Sequence, residues 1–201
     1  MLCAGVTVYS ALKKSGAQAG DWVALLGAGG GLGHLAVQIA ARGMAMRVIA
    51  IDHGSKKDIC NDCGAEVFID HTSQNAEEEV KKATGGLGAQ SVLVLTAANG
   101  AYASSMSLLK FGGTMVCVGL PEGDLVPIQT AFPQVMVAKS QNIRGSAVGN
   151  RKEAIETLEM AERGVIKTHF RTAGMSELTG VFEQMHRGEM KGRVVLDLNK
   201  E

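Results

Sequence analysis

Apolar positions fall alternately into short unbroken runs and into sets with helical spacing, which predicts strands and helices taking turns. The run Val23-Ala24-Leu25-Leu26 has strand length and ends in Gly27-Ala28-Gly29-Gly30-Gly31-Leu32-Gly33. Beyond it Leu32, Leu35, Ala36, Ile39 and Ala40 recur at helical spacing. Upstream, residues 1–16 predict a helix with Val6, Tyr9, Ala11 and Leu12 near one face, closed by Lys13, Lys14 and Gly16. Val48 to Ile51 predict a second strand that ends at Asp52, and Ser55 to Gly64 a helix. A short strand at Glu66 to Ile69 and a helix at Asn75 to Ala83 follow. A strand at Ser91 to Leu95, a helix at Tyr102 to Leu109 and a strand at Met115 to Val118, closed by Gly119-Leu120-Pro121, complete the series. Such alternation predicts an α/β fold with a doubly wound parallel sheet.

After Pro133 the organisation changes. Val135 to Lys139 predict a short helix and Asn142 to Ser146 a last sheet strand. Arg151 to Arg163 predict an amphipathic helix with Ile155, Leu158 and Ala161 inward. Ser176 is expected to cap a helix through Met185, with Glu177 and Glu183 outward, and Arg193 to Leu198 to form a terminal strand.

A chain of 201 residues is long enough for one well-cored domain. Its net charge is zero and no basic run occurs, so the sequence carries no electrostatic footprint for nucleic acid or an anionic membrane. No apolar run reaches membrane-spanning length and no signal-peptide pattern follows Met1, which predicts a cytoplasmic protein. Gly, at 26 residues, is near twice its usual share of about 7%, as a fold with many tight strand-to-helix turns needs. The four cysteines are expected to be reduced. Cys60-Asn-Asp-Cys63 has metal-like spacing, but it stands alone on an expected helix and reads as packing.

The glycine run carries the candidate chemistry. A strand, a tight turn and a helix start place unpaired amides and the positive end of a helix dipole together, which suits a diphosphate. Gly27, Gly30 and Gly33 are spaced as G-x-x-G-x-x-G, one residue longer than the standard dinucleotide fingerprint. Asp52, about twenty residues after the last glycine, stands where that fingerprint places the acid that accepts hydrogen bonds from both adenosine ribose hydroxyls. A carboxylate there repels a 2′-phosphate and favours NAD over NADP.

Taken in order, Leu2-Cys3-Ala4-Gly5-Val6-Thr7-Val8-Tyr9, Gly27 to Gly33, Val48 to Asp52, Val118-Gly119-Leu120-Pro121, Gly145 to Arg151 and Gly192-Arg193-Val194-Val195 resemble the coenzyme-binding half of zinc-dependent medium-chain alcohol dehydrogenases of the fungal, yeast-like type. The resemblance covers the whole chain. It implies a Rossmann domain over residues 1–148 and a C-terminal segment over 149–201 that returns to a catalytic domain absent from this chain. It also implies reversible NAD-dependent oxidation of a small alcohol to an aldehyde or ketone, with the fragment itself inactive. By the same resemblance, Thr7 lies beside the nicotinamide, and the backbone at Val118, Leu120 and Val148 holds its carboxamide. Gly30, Gly31, Leu32, Gly33 and Arg193 bind the diphosphate, and Asp52 and Lys57 the adenosine ribose. Cys3 matches one catalytic zinc ligand.

The other zinc ligands of the family belong to the absent domain, so the fragment is not expected to hold zinc. His34, His53, His71, His169 and His186 show no ligand spacing and read as solvated or packing residues. The family also implies a homo-oligomer, a dimer or tetramer, with coenzyme domains paired edge to edge through the strand near Met115 to Val118. Two alternatives stay open: a zinc-free quinone or enoyl reductase, and a non-catalytic dinucleotide-binding module.

Overall fold

In the computed structural model, which describes residues 1–200, the chain begins with helix α1 (Ala4–Ser15) and strand β1 (Trp22–Leu26). Helix α2 (Gly33–Gln38) continues into a single π-turn at Ile39–Gly43, and β2 (Arg47–Asp52), α3 (Lys57–Cys63), β3 (Val67–Asp70), α4 (Ala76–Ala83) and β4 (Ala89–Val94) follow. Next come α5 (Asn99–Ser105), β5 (Leu109–Cys117), α6 (Pro133–Lys139), β6 (Asn142–Gly145), α7 (Arg151–Glu162), β7 (Phe170–Gly174), α8 (Leu178–His186) and β8 (Arg193–Asp197).

Six strands form one sheet in the order β3-β2-β1-β4-β5-β6, every pair parallel, and β7 pairs with β8 in a separate two-stranded parallel sheet. The order reverses between β1 and β4, the switch point outside which ligands of such sheets bind. Alternation along β1 builds a core on each face. Val23 and Leu25 join α1, α2 and α3 on one side, whereas Ala24 and Leu26 join Val80, Tyr102 and Met106 on the other.

Several local expectations are corrected. Helix α7 turns Glu153, Thr157 and Met160 inward, and Ile155 and Leu158 are 51% and 44% exposed. The cause is its first turn. Asn150 and Glu153 form a capping box, Asn150 Oδ1 accepting the Glu153 N–H at 3.0 Å and Glu153 Oε2 the Asn150 N–H at 2.9 Å, which fixes the Glu153 face against α1. Ser176 is not a cap: it lies in a 3-10 turn (Met175–Glu177), and Glu177 Oε1 accepts the Gly174 N–H at 3.1 Å.

Strand β5 starts at Leu109, so the helix expected to reach Leu109 ends earlier, in α5 and a 3-10 turn. β5 also lies between β4 and β6, so Met115 to Val118 offers no edge for pairing; the free edges of the sheet are β3 and β6.

Candidate functional site

The candidate site runs along the C-terminal ends of the strands. β1 ends in the glycine turn, which folds back on β2 as the Gly27 and Ala28 N–H groups donate to Ile51 O at 2.9 and 3.4 Å. Gly27 alone among its glycines has a positive φ, 84°, whereas at Gly29 and Gly33 it is space that is short, a Cβ at Gly29 lying 2.6 Å from Lys56 Cβ. A Cβ at Gly33 would fall on the Gly27 carbonyl oxygen. At Gly30 it would meet only that oxygen at 3.5 Å, and at Gly31 the Gly192 carbonyl at 3.3 Å and Arg193 beyond it. The N–H groups of Gly31, Leu32 and Gly33 have no hydrogen-bond partner among the described residues.

Asp52 is buried beneath this turn. Its Oδ2 accepts the Gly29 N–H at 2.8 Å, and its Oδ1 accepts the His53 N–H at 2.8 Å and an ion pair from Lys56 Nζ at 3.0 Å. A carboxylate offers about four lone-pair sites. Three are occupied, so with Lys56 in place the carboxylate can fully engage one ribose hydroxyl, not the two expected. Lys56 itself is buried, its stem packed on Gly29, whereas Lys57, expected at the ribose, is exposed on the first turn of α3.

Beside the turn, Arg193 Nη1 donates to Gly31 O at 3.3 Å, and the Gly192 N–H donates to Gly29 O at 3.0 Å, so the start of β8 is laced to the turn. A histidine that the sequence analysis read as solvated or packing stands under both. His34 is fully buried, its Nδ1–H donating to Gly30 O at 2.8 Å, and its Nε2 has no partner. Its ring meets His169 edge-on at 5.8 Å. Burial pushes the His34 pKa down, and the nearby His169 and Arg193 add to that against the Gly30 hydrogen bond.

A cleft of about 440 Å³ opens next to Asp52, lined by Leu26, Ile51, His71, Thr96, Ala98 and Ala101 among others. It leads past Thr96, against which both Gly27 and Gly119 pack so closely that a side chain on either would collide with it. Tyr102 O–H donates to Gly119 O at 2.6 Å, clamping the loop that carries Val118 and Leu120, and burial pushes the Tyr102 phenol up to about 12. No sequence pattern singled Tyr102 out.

Val118 is half-buried and Leu120 exposed. Val148 holds a φ of 48°, rare for a β-branched residue, just before Gly149, which packs on Val6 and Ser10 of α1. Thr7 is buried with its hydroxyl donating to Cys3 O at 2.7 Å. The structure thus brings the glycine turn, Asp52 and Arg193 together, sets Gly149, next to Val148, against α1, the helix that carries Thr7, and ties the loop of Val118 and Leu120 to Tyr102 through Gly119 O.

Zinc does not fit this chain alone. Cys3 is exposed, and no group of three or more His, Cys, Asp or Glu residues able to hold a metal occurs among the described residues. Cys60 and Cys63 are buried, and burial pushes their thiols up to about 12 and about 11, which keeps them protonated as core residues.

Known proteins share the sequence and the fold of this chain. Alcohol dehydrogenase 2 of Emericella nidulans is 54% identical over 207 residues, covering 99% of this chain and 56% of that protein. An alcohol dehydrogenase of Schizosaccharomyces pombe is 43% identical over 202 residues, covering 100% of this chain and 56% of that protein. The chain therefore spans about half the length of the curated relatives it matches. Among solved structures, the alcohol dehydrogenase of the archaeon Aeropyrum pernix superposes with a TM-score of 0.87 at 28% identity, over 98% of this chain and 56% of that one. Acetophenone reductase of Geotrichum candidum, solved with NAD, shares the fold at a TM-score of 0.83 and 24% identity, over 99% of this chain and 55% of that one. The sequence family of zinc-binding dehydrogenases matches residues 31–163, which take in helices α2 to α7 and strands β2 to β6, and the chain belongs to that family.

Proposed function

We propose that this chain is the dinucleotide-binding part of an NAD-dependent alcohol dehydrogenase. The observation that carries the reading is Asp52 at the end of β2, fixed by the Gly29 N–H next to three amides, of Gly31, Leu32 and Gly33, that lack partners among the described residues. Those amides and the Arg193 guanidinium hold the diphosphate, while Asp52 takes a ribose hydroxyl and the cleft over Ile51 takes the adenine. Thr7 and the backbone at Val118, Leu120 and Val148 wall the nicotinamide, and Lys57 stands at the outer rim of the ribose site. Tyr102 keeps the Val118 to Leu120 loop in register by holding Gly119 O.

NAD, when bound, accepts a hydride from the alcohol carbon. This chain contributes binding and orientation; the small alcohol and its aldehyde or ketone are substrates of a longer protein. Cys3 supplies one donor to a zinc whose other ligands come from elsewhere, and the chain by itself turns over little or nothing. Residues 1–148 form the dinucleotide domain, and 149–201 form a segment that packs both on it and on a catalytic domain. The exposed β6 edge pairs two copies, in place of the inner strand expected from the sequence. A cytoplasmic location belongs to the same proposal.

Calorimetric titration with NADH tests the reading. Saturable one-to-one binding, weakened about tenfold by Arg193→Met, is expected for loss of one charge-assisted contact. Undiminished binding by that variant removes the diphosphate from the glycine turn.

A further inference from the structure

We propose that Gln38 is a positioning residue of the diphosphate site: its side-chain amide fixes the register in which residues 166–169 lie against the glycine-turn half, and so aims Arg193 at the turn. The inference rests on the dinucleotide reading above. Gln38 ends α2 and is fully buried, an uncommon place for an amide. Its Nε2 donates to His34 O and to Lys167 O, each at 2.9 Å, and its Oε1 accepts the Lys167 N–H at 2.8 Å. One side chain thus holds both backbone groups of a residue 129 positions away, as a neighbouring strand would. Turned over, the amide would set its oxygen against two carbonyls and its own N–H groups against the Lys167 N–H, so one orientation alone serves.

Register is what apolar contact cannot supply here. Ile166 is buried in the core, but Lys167, His169 and Phe170 are exposed, and the burial of one side chain has no direction. Among the described residues, the hydrogen bonds that tie Ile166 to Thr168 to the rest of the chain go to Gln38. Two residues beyond Lys167, His169 O accepts the Arg193 N–H at 3.0 Å, and a Cβ at Gly192 would collide with that same oxygen, so His169 seats the start of β8. From there Arg193 Nη1 reaches Gly31 O at 3.3 Å. A slip of the segment by one residue displaces its contacts by about 3.3 Å, more than a hydrogen bond tolerates. The Gly192 N–H still donates to Gly29 O when Gln38 is lost, so the loss is bounded by what Arg193 contributes.

The test is calorimetric titration of the whole chain with NADH, for the parent, Gln38→Met, Arg193→Met and the double variant, together with amide hydrogen exchange of the parent and of Arg193→Met. Methionine matches glutamine in length and makes none of its hydrogen bonds. Arg193→Met is expected to lose about tenfold in affinity and Gln38→Met about threefold to tenfold. The double variant should lose no more than Arg193→Met, because Gln38 acts through Arg193. Saturating NADH should slow exchange of the Lys167 N–H about tenfold more in the parent than in Arg193→Met, since opening the clamp forfeits the arginine contact. Parent affinity in Gln38→Met, losses that multiply toward about a hundredfold in the double variant, or equal slowing in the two proteins overturns the role of Gln38 and leaves the dinucleotide reading intact. A parent that binds no NADH, or an Arg193→Met protein that binds it undiminished, overturns both. If Gln38→Met does not melt cooperatively, the exchange comparison decides alone, because both of its proteins keep the native amide.

Discussion

Replacing Gly33 by alanine should unfold the glycine turn, and replacing Gly30 should not. A Cβ at Gly33 lands on the Gly27 carbonyl oxygen and 2.5 Å from the Ala28 Cα and carbonyl carbon, where ordinary contact begins at 3.4 Å. The neighbours are backbone atoms that are themselves tied down, Gly27 N–H and Ala28 N–H both donating to Ile51 O. Neither can yield the missing ångström without breaking the link between β1 and β2. Overpacking in a well-packed site costs about 1–3 kcal/mol. Backbone against backbone belongs at the top of that range, about 3 kcal/mol. With a urea slope of about 2 to 3 kcal/mol per molar, the midpoint of Gly33→Ala falls by about 1 M or more. At Gly30 a Cβ meets nothing nearer than 3.5 Å and φ is not positive, so Gly30→Ala keeps the parent midpoint within about 0.5 kcal/mol. On the proposed reading the diphosphate passes over Gly30, so Gly30→Ala should lose NADH affinity. Urea denaturation followed by circular dichroism reads the first effect and nucleotide titration the second. A Gly33→Ala protein with the parent's midpoint would refute the packing of this turn.

Other substitutions probe separate links. Asp52→Ala strips a buried ammonium and two backbone N–H groups of their acceptor and should cost about 3 kcal/mol, read as a lowered urea midpoint; its loss of nucleotide binding is therefore not a clean test of ribose contact. Tyr102→Phe removes the donor to Gly119 O and should lower stability by about 1 kcal/mol in the same assay. Met160→Ala should cost about 2–3 kcal/mol and Ile155→Ala less than about 0.5, since the first is buried and the second is not.

His34 makes stability depend on pH. Its pKa is depressed in the folded state, so the unfolded chain binds more protons as pH falls below about 6.5, and stability present above that pH is lost on acidification. The difference in urea midpoint between pH 7.5 and pH 5.5 should shrink in His34→Asn. An equal difference in both proteins would assign the pH dependence elsewhere.

Sequence patterning made the six-stranded sheet legible because its inner strands are continuous apolar runs buried on both faces, with glycines at the ends. β7 was missed because Phe170, Arg171 and Thr172 are exposed and only Ala173 and Gly174 are buried, so it pairs with β8 without an apolar signature. The inward face of α7 was misjudged because hydrophobicity was the guide, whereas the capping box decides the rotation and buries Glu153 and Thr157 in place of Ile155 and Leu158. The glycine turn after β1 and the placing of Asp52 at the end of β2 were legible from spacing alone. Lys56 could not be told from Lys57, since which of two adjacent lysines folds inward depends on the 3-10 turn at Gly54–Lys56. His34 and His169 are far apart in the chain and meet only because β8 and the segment before β7 close over the glycine turn.

The amides of Gly31, Leu32 and Gly33, with Asp52 and Arg193, are proposed to form a dinucleotide site. Calorimetric titration of the chain with NADH measures it directly. One molecule is expected to bind per chain, with affinity reduced about tenfold by Arg193→Met at unchanged melting temperature. No saturable heat up to millimolar NADH, from a chain that melts cooperatively, would contradict it.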